Sequence, residues 1–239
     1  MSSYNIIKYL DDVGYPSGWE EFFDKHRQKL ELIERKIKNI NKSGEEISPN
    51  CDLVFRVFYI LNPKKIKVVI LGQDPYPQKV YINNILMNRA QGLSFSLLNE
   101  DKITTSLGNI FKELHEEYGD TFNRTSKDLI DWVHQGVFLL NTALTVSIDK
   151  SNSHTAFWES FINSVITYIT VQNPNVIFVL WGEKAKSFKS RHIIGDKIRC
   201  LEGIHPSGYN GNKFIGCNHF IKINEILTEL GEEIINWDV

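Results

Sequence analysis

The 239-residue sequence has little cysteine, no basic excess and no long apolar run. Its three cysteines, Cys51, Cys200 and Cys217, are an odd, widely spaced set without a Cys-x-x-Cys. That argues against a disulfide framework and against a cysteine-built zinc or iron–sulfur site. The longest unbroken apolar stretch, Val176 to Trp181, is far short of the roughly 20 residues a membrane-spanning helix needs, so no membrane association is expected. No basic segment followed by an apolar one opens the chain, so the expectation is an intracellular protein of nucleus or cytoplasm, not a secreted one. The formal net charge is −2, and the isoelectric point of about 6.4 lies well below the ~9 typical of domains that bind nucleic acid through a basic surface. Composition alone therefore gives no reason to expect such a partner. Arginine is scarce, 7 against 20 lysines, and isoleucine and asparagine are abundant; AT-rich coding produces this bias, which says nothing of function. There is no internal repeat and no low-complexity linker.

What is present is ordinary globular material, 42% hydrophobic and 23% charged, long enough for one large α/β domain or two small ones. Glu31 to Ile40 alternates charged and apolar residues at helical spacing and reads as a solvated amphipathic helix. Asp52 is expected to cap a helix from Leu53 to Tyr59. Short β-branched runs closed by glycine or a polar turn predict buried strands at Lys67–Leu71, Val137–Leu140, Val176–Leu180 and Lys197–Leu201. Helical periodicity predicts helices at Ser106–Tyr118, with Ser106 as N-cap, at Phe157–Val171 and at Cys217–Leu230. Strands alternating with helices imply βαβ units, hence an α/β fold with a central four-stranded, mostly parallel sheet covered by helices on both faces.

Ligands of such sheets bind outside the carboxyl ends of the strands. Those ends carry Gly72-Gln73-Asp74-Pro75-Tyr76, Asn141-Thr142, Trp181-Gly182-Glu183 and Gly203-Ile204-His205-Pro206-Ser207. A carboxylate, a carboxamide and an imidazole are thus gathered at one edge, in turns stiffened by proline or glycine. Singly, Asp74 before Pro75 can be a turn former, Asn141 a helix cap and His205 an ordinary loop histidine. Jointly they suggest acid–base or electrostatic chemistry on a small polar ligand, without naming it.

These residues resemble a known family. Gly72-Gln73-Asp74-Pro75-Tyr76 is similar to the water-activating motif of the family-1 uracil-DNA glycosylases. Ala90 to Ser96, Leu139 to Thr145, Ser151-Asn152-Ser153-His154, Leu180-Trp181-Gly182, His205-Pro206-Ser207 and Phe214 to Phe220 match it in order, and the similarity runs from Trp19 to Trp237. The resemblance implies an N-terminal segment over 1–18 and a catalytic domain over 19–239. It implies a monofunctional enzyme that flips uracil out of DNA, at a cost of roughly a few kcal/mol, and hydrolyses its N-glycosidic bond. By resemblance, Asp74 orients the attacking water and His205 supports the leaving uracil anion through O2. Asn141 pairs with uracil O4 and N3–H, Phe95 stacks on the base, Tyr76 excludes a thymine methyl and Gln73 lines the pocket. Ser106, Ser153 and Ser207 would hold DNA phosphates. No cofactor and no metal are implied. The implied partners are uracil-containing single- and double-stranded DNA, with a uracil-glycosylase inhibitor protein or replication proteins as further candidates, acting on a monomer. A catalytically weak DNA-binding or polymerase-processivity subunit with the same fold is the alternative, disfavoured because a scaffold has no use for Asp74, Phe95, Asn141 and His205 together.

The chain departs from the family in four places. Pro77 stands where the family usually has a histidine. Gln78 to Arg89 is an insertion, read as a surface loop or a DNA or partner contact. Lys102-Ile103-Thr104-Thr105 replaces a proline-rich loop. After Ser207 the loop is one residue shorter, and Tyr209 stands as candidate for the wedge that fills the gap left by the flipped base. Positive potential is expected to be confined to the strand-end face, near Lys102, Lys213 and the helix N-termini, with a shallow dependence of binding on salt.

Overall fold

The computed structural model describes residues 4–189, 198–208 and 211–239. In chain order it contains α1 (Ile6–Val13), α2 (Glu20–Lys42), β1 (Ile47–Ser48), α3 (Arg56–Ile60), β2 (Val68–Gly72), β3 (Lys79–Ile82), β4 (Ile85–Asn88), α4 (Thr105–Tyr118) and α5 (Ile130–His134). There follow β5 (Val137–Asn141), β6 (Val146–Ser147), α6 (Thr155–Gln172), β7 (Ile177–Trp181), α7 (Glu183–Lys186), β8 (Arg199–Gly203), α8 (Gly211–Phe214) and α9 (His219–Glu229).

The runs that predict strands form one sheet in the order β5-β2-β7-β8, and every pairing in it is parallel. Every residue of β2, β5 and β7 is buried, so both faces of these strands are covered; this is why they read as unbroken apolar runs instead of alternating ones. β2 is the first strand of the sheet in sequence, and the chain adds β5 on one side of it and β7 then β8 on the other. The strand order therefore reverses beside β2, where a crevice opens at the carboxyl ends. Register sets Gly72 opposite Asn141 and Trp181 opposite Gly203, so the residues after each strand emerge side by side.

Trp19, Phe22, Phe23, Phe55, Phe58, Phe138 and Phe161 form an aromatic cluster that ties α2, α3 and α6 to β5, mostly edge to face, the arrangement favoured by ring quadrupoles. The Trp19 indole N–H, which would be costly to bury alone, donates to Leu61 O at 2.9 Å. Tyr4, Ile6 and Leu10 of the first 18 residues belong to the same core. The stretch Glu31 to Ile40 lies within α2, with Ile33 and Ile37 turned inward.

Four local expectations need correction. Thr104, not Ser106, caps α4: its Oγ1 accepts from Leu107 N at 3.4 Å, which leaves Ser106 in the first helical turn. Asp52 caps no helix, because it sits inside a 3₁₀ turn (Cys51–Leu53) and the following α-helix starts only at Arg56. The fourth strand starts at Arg199, and Lys197 lies outside the described residues. The insertion is not an irregular loop but the antiparallel hairpin β3–β4, closed by Asn83 and Asn84 at φ 50° and 64°. Two consecutive left-handed residues are what a tight hairpin turn with the twist of its strands requires, and asparagine tolerates them.

Candidate active site

At the carboxyl end of β2 a cavity of about 230 Å³ is lined by Gln73, Asp74, Tyr76, Phe95, Asn141 and His205, residues far apart in sequence. Ser106 reaches the same cavity from the first turn of α4. Ser207 lines an adjoining space of about 450 Å³ that shares Gly72, Gln73 and His205 with it. Ser153 lines neither; its Oγ accepts from Ser147 N at 2.9 Å, which pins its loop while leaving the hydroxyl proton to donate elsewhere. Tyr209 lies outside the described residues.

Asn141 ends β5 and is 9% exposed, yet its amide makes no hydrogen bond to the protein among the described residues. The amide lines the cavity with its donor and acceptor both uncommitted, so both are available to a ligand. Gly72 makes room for it: a β-carbon there would stand 2.3 Å from Asn141 Oδ1 and 2.7 Å from Ser94 Cβ. The glycine that closes β2 is thus required by its neighbour across the sheet.

Phe95 carries the least ordinary backbone of the site, φ 64° for a bulky residue. Such a conformation persists only where its surroundings hold it. Here the preceding Ser94 N donates to Leu139 O at 3.1 Å, and the ring meets Trp181 at 5.7 Å between centroids and His205 at 6.1 Å. Trp181 is fixed in turn by its indole N–H, which donates to Nδ1 of buried His219 at 2.9 Å. Burial pulls the His219 imidazole down to about 4, so it stays an acceptor at neutral pH. The Tyr76 hydroxyl donates to Phe95 O at 3.2 Å and lies 3.0 Å from Thr104 Oγ1, which fixes the ring against the cavity. Burial pushes its phenol up to about 12.

His205 is lowered by burial, against the pull of Asp74. Its Nδ1 accepts from Ser207 N at 3.1 Å. In the neutral ring the proton therefore sits on Nε2, which becomes the donor. Asp74 Oδ2 accepts from Asn152 N at 2.6 Å, a short charge-assisted bond. The Gln73 side chain turns away to Asn152 Oδ1 at 2.7 Å, while its carbonyl accepts from Thr142 Oγ1 at 2.6 Å, so Gln73 is held rigidly at both ends. Of the lysines expected to make this face positive, Lys213 lines the larger space together with Lys184 and Lys186; Lys102 is exposed and lines neither.

Sequence reasoning gave no role to Gly72, Asn152, Lys184, Trp181 or His219. All of these but Lys184 stood inside matched motifs, but nothing local shows that Asn152 reaches Asp74, 78 positions away.

The arrangement as a whole suits a flat, hydrogen-bonding ring held between an aromatic face and a polar floor. Comparison with known proteins agrees. Residues 58–228 match the model of the uracil DNA glycosylase superfamily. The chain is 40% identical over 233 residues to a uracil-DNA glycosylase of Campylobacter hominis, covering 96% of this chain and 95% of that one. It is 38% identical over 233 residues to that of Campylobacter jejuni subsp. doylei, covering 96% of each. The crystal structure of mimivirus uracil-DNA glycosylase superposes with a TM-score of 0.88 at 31% identity, over 96% of this chain and 89% of that one; a mimivirus variant has been solved in complex with UGI. With the family model spanning most of the sequence and these relatives matching nearly all of it, the chain belongs to the uracil-DNA glycosylase superfamily.

Proposed function

We propose that the protein excises uracil from DNA by hydrolysing its N-glycosidic bond, leaving an abasic site for base excision repair. The observation that carries this reading is the convergence of an unpartnered amide, an aromatic face, a fixed tyrosine ring, a carboxylate and a neutral imidazole donor in one cavity of about 230 Å³. The flipped base stacks on Phe95. Asn141 accepts from N3–H with its oxygen and donates to O4 with its nitrogen, a pairing that cytosine mismatches. The Tyr76 ring occupies the place a 5-methyl group would need. Gln73 completes the wall of the pocket.

The reaction breaks C1′–N1. The electron pair leaves with uracil as an N1 anion, and the sugar becomes cationic. Nε2–H of His205 donates to O2 of the departing anion; a preorganised donor of this kind is worth roughly 10²–10³ in rate. The Asp74 carboxylate orients a water toward C1′ and opposes the charge of the cationic sugar. The water oxygen bonds to C1′ and its proton passes to Asp74 or to solvent. Ser106, Ser153 and Ser207 grip backbone phosphates, contacts that position without reading sequence. Tyr209 fills the gap left by the flipped base.

Intracellular DNA is the substrate compartment that fits this chemistry, and an inhibitor protein like that seen on the mimivirus relative is a partner to test. The test of function uses single- and double-stranded oligonucleotides carrying one uracil, incubated with EDTA and then cleaved at abasic sites with alkali. Product from either substrate is expected; none from both overturns the reading.

A further inference from the structure

Asp74 receives its one protein hydrogen bond among the described residues from the backbone N–H of Asn152. That donor is held in an uncommon place. Asn152 sits at φ 64° in the loop between β6 and α6, so its N–H direction depends on keeping a left-handed conformation. Two side chains clamp it. Gln73 Nε2 and Lys184 Nζ both donate to Asn152 Oδ1, at 2.7 and 3.0 Å. Lys184 also donates to Thr155 Oγ1 at 3.1 Å, at the first residue of α6. Behind the loop, buried His154 bridges Thr145 Oγ1 at 2.9 Å and Ser147 Oγ at 3.1 Å, which anchors the loop to the body of the protein. Lys184 is half-buried at the wall of the larger space, and its charge interacts with Asp74. A cation so placed loses solvation and recovers it by donating to two fixed oxygens.

We propose that Lys184 is a positioning residue: by clamping Asn152 Oδ1 it aims the Asn152 N–H at Asp74 Oδ2 and so directs the other carboxylate oxygen to the attacking water. This rests on the uracil-excising role assigned above. The nearest competing role for a lysine on this wall is a direct contact to a DNA phosphate.

The two roles separate in steady-state kinetics. Lys184→Met should lower kcat about tenfold to a hundredfold, the scale expected for a small misplacement of a reacting group, with KM changed by less than about threefold. Lys184→Arg, which keeps a cation within reach of both oxygens, should recover most of the loss. The salt dependence of kcat/KM should be unchanged. A raised KM with kcat intact and a salt slope shallower by about one points instead to a phosphate contact and overturns the proposal. Equal losses in both variants overturn it too. A readout independent of catalysis is the Asn152 amide proton in ¹H–¹⁵N NMR of the free protein. The short bond to a carboxylate should hold it downfield in the wild type, and Lys184→Met should move it upfield. An unmoved resonance refutes the clamp even if the wild-type chain excises no uracil.

Discussion

Gly72→Ala tests whether the Asn141 amide, proposed above to read the base, depends on a missing side chain. The new methyl would fall 2.3 Å from Asn141 Oδ1, where ordinary contact needs more than 3 Å. Gly72 cannot retreat, because it ends a strand paired on both sides within a buried sheet, and its carbonyl accepts from Thr142 N at 3.0 Å. The Asn141 amide must therefore shift by about 1 Å or rotate out of the cavity. Misplacement on that scale costs on the order of 10²-fold in rate. The second clash, with Ser94 Cβ at 2.7 Å, adds an overpacking cost of about 1–3 kcal/mol, a loss of several degrees in Tm for a chain of this size. Single-turnover excision of uracil from a duplex oligonucleotide, with thermal unfolding alongside, measures both. The kinetic loss should be strongly non-additive with Asn141→Ala, since the methyl acts on rate through an amide the second variant lacks. Excision within about threefold of wild type, or losses that simply add, would refute the reasoning.

Asp74→Asn and His205→Leu should each lower turnover by at least about 10²-fold with folding preserved; near-normal rates in both reject the assigned roles. Tyr76→Ala should admit the 5-methyl group, and thymine release from a T-containing oligonucleotide, absent in the wild type, is the measure; no release rejects steric exclusion by this ring. Burial holds His154 and His219 near 4 instead of 6.5, so the unfolded chain binds protons that the native state refuses. Their contribution to stability is therefore complete above pH 6.5 and is lost as pH falls toward 4, by up to about 3 kcal/mol each. Urea midpoints measured across that range should fall, and His154→Gln should flatten the curve; parallel curves for the two proteins reject the assignment. Glu117 acts in the opposite direction. Burial and the neighbouring Glu113 carboxylate push it up to about 7, so its ionisation opposes folding as pH rises from 4.5 to 7; Glu117→Gln should remove that decline, seen as a higher Tm at pH 8 than at pH 5.5 relative to wild type.

The sheet was legible because its strands are buried on both faces and so appear as unbroken β-branched runs, and the cavity because ligands gather where such strands end. Asp74, Asn141 and His205 could be named together from their places after three strands. Their assigned partners could not be, because pairings such as Asn152 with Asp74 or Trp181 with His219 depend on how loops cross in space. The cap of α4 lies two residues before the expected Ser106, because Thr104, Thr105 and Ser106 are chemically near-equivalent and only backbone geometry picks among them. The insertion's hairpin was missed because its strands are half-exposed and only four residues each, too short for a clear alternation.

By itself, then, the sequence determined the strand and helix types, the parallel sheet and the identity of the polar groups at its carboxyl edge, since burial pattern and local turn chemistry are encoded residue by residue. Tertiary structure alone decided that Gly72 must lack a side chain, that the His205 proton lies on Nε2, and that Lys184 reaches Asp74 through Asn152. The first and third are contacts between segments distant along the chain, and the second is a bond between residues two apart; in all three the packed fold, not the local sequence, sets the distance.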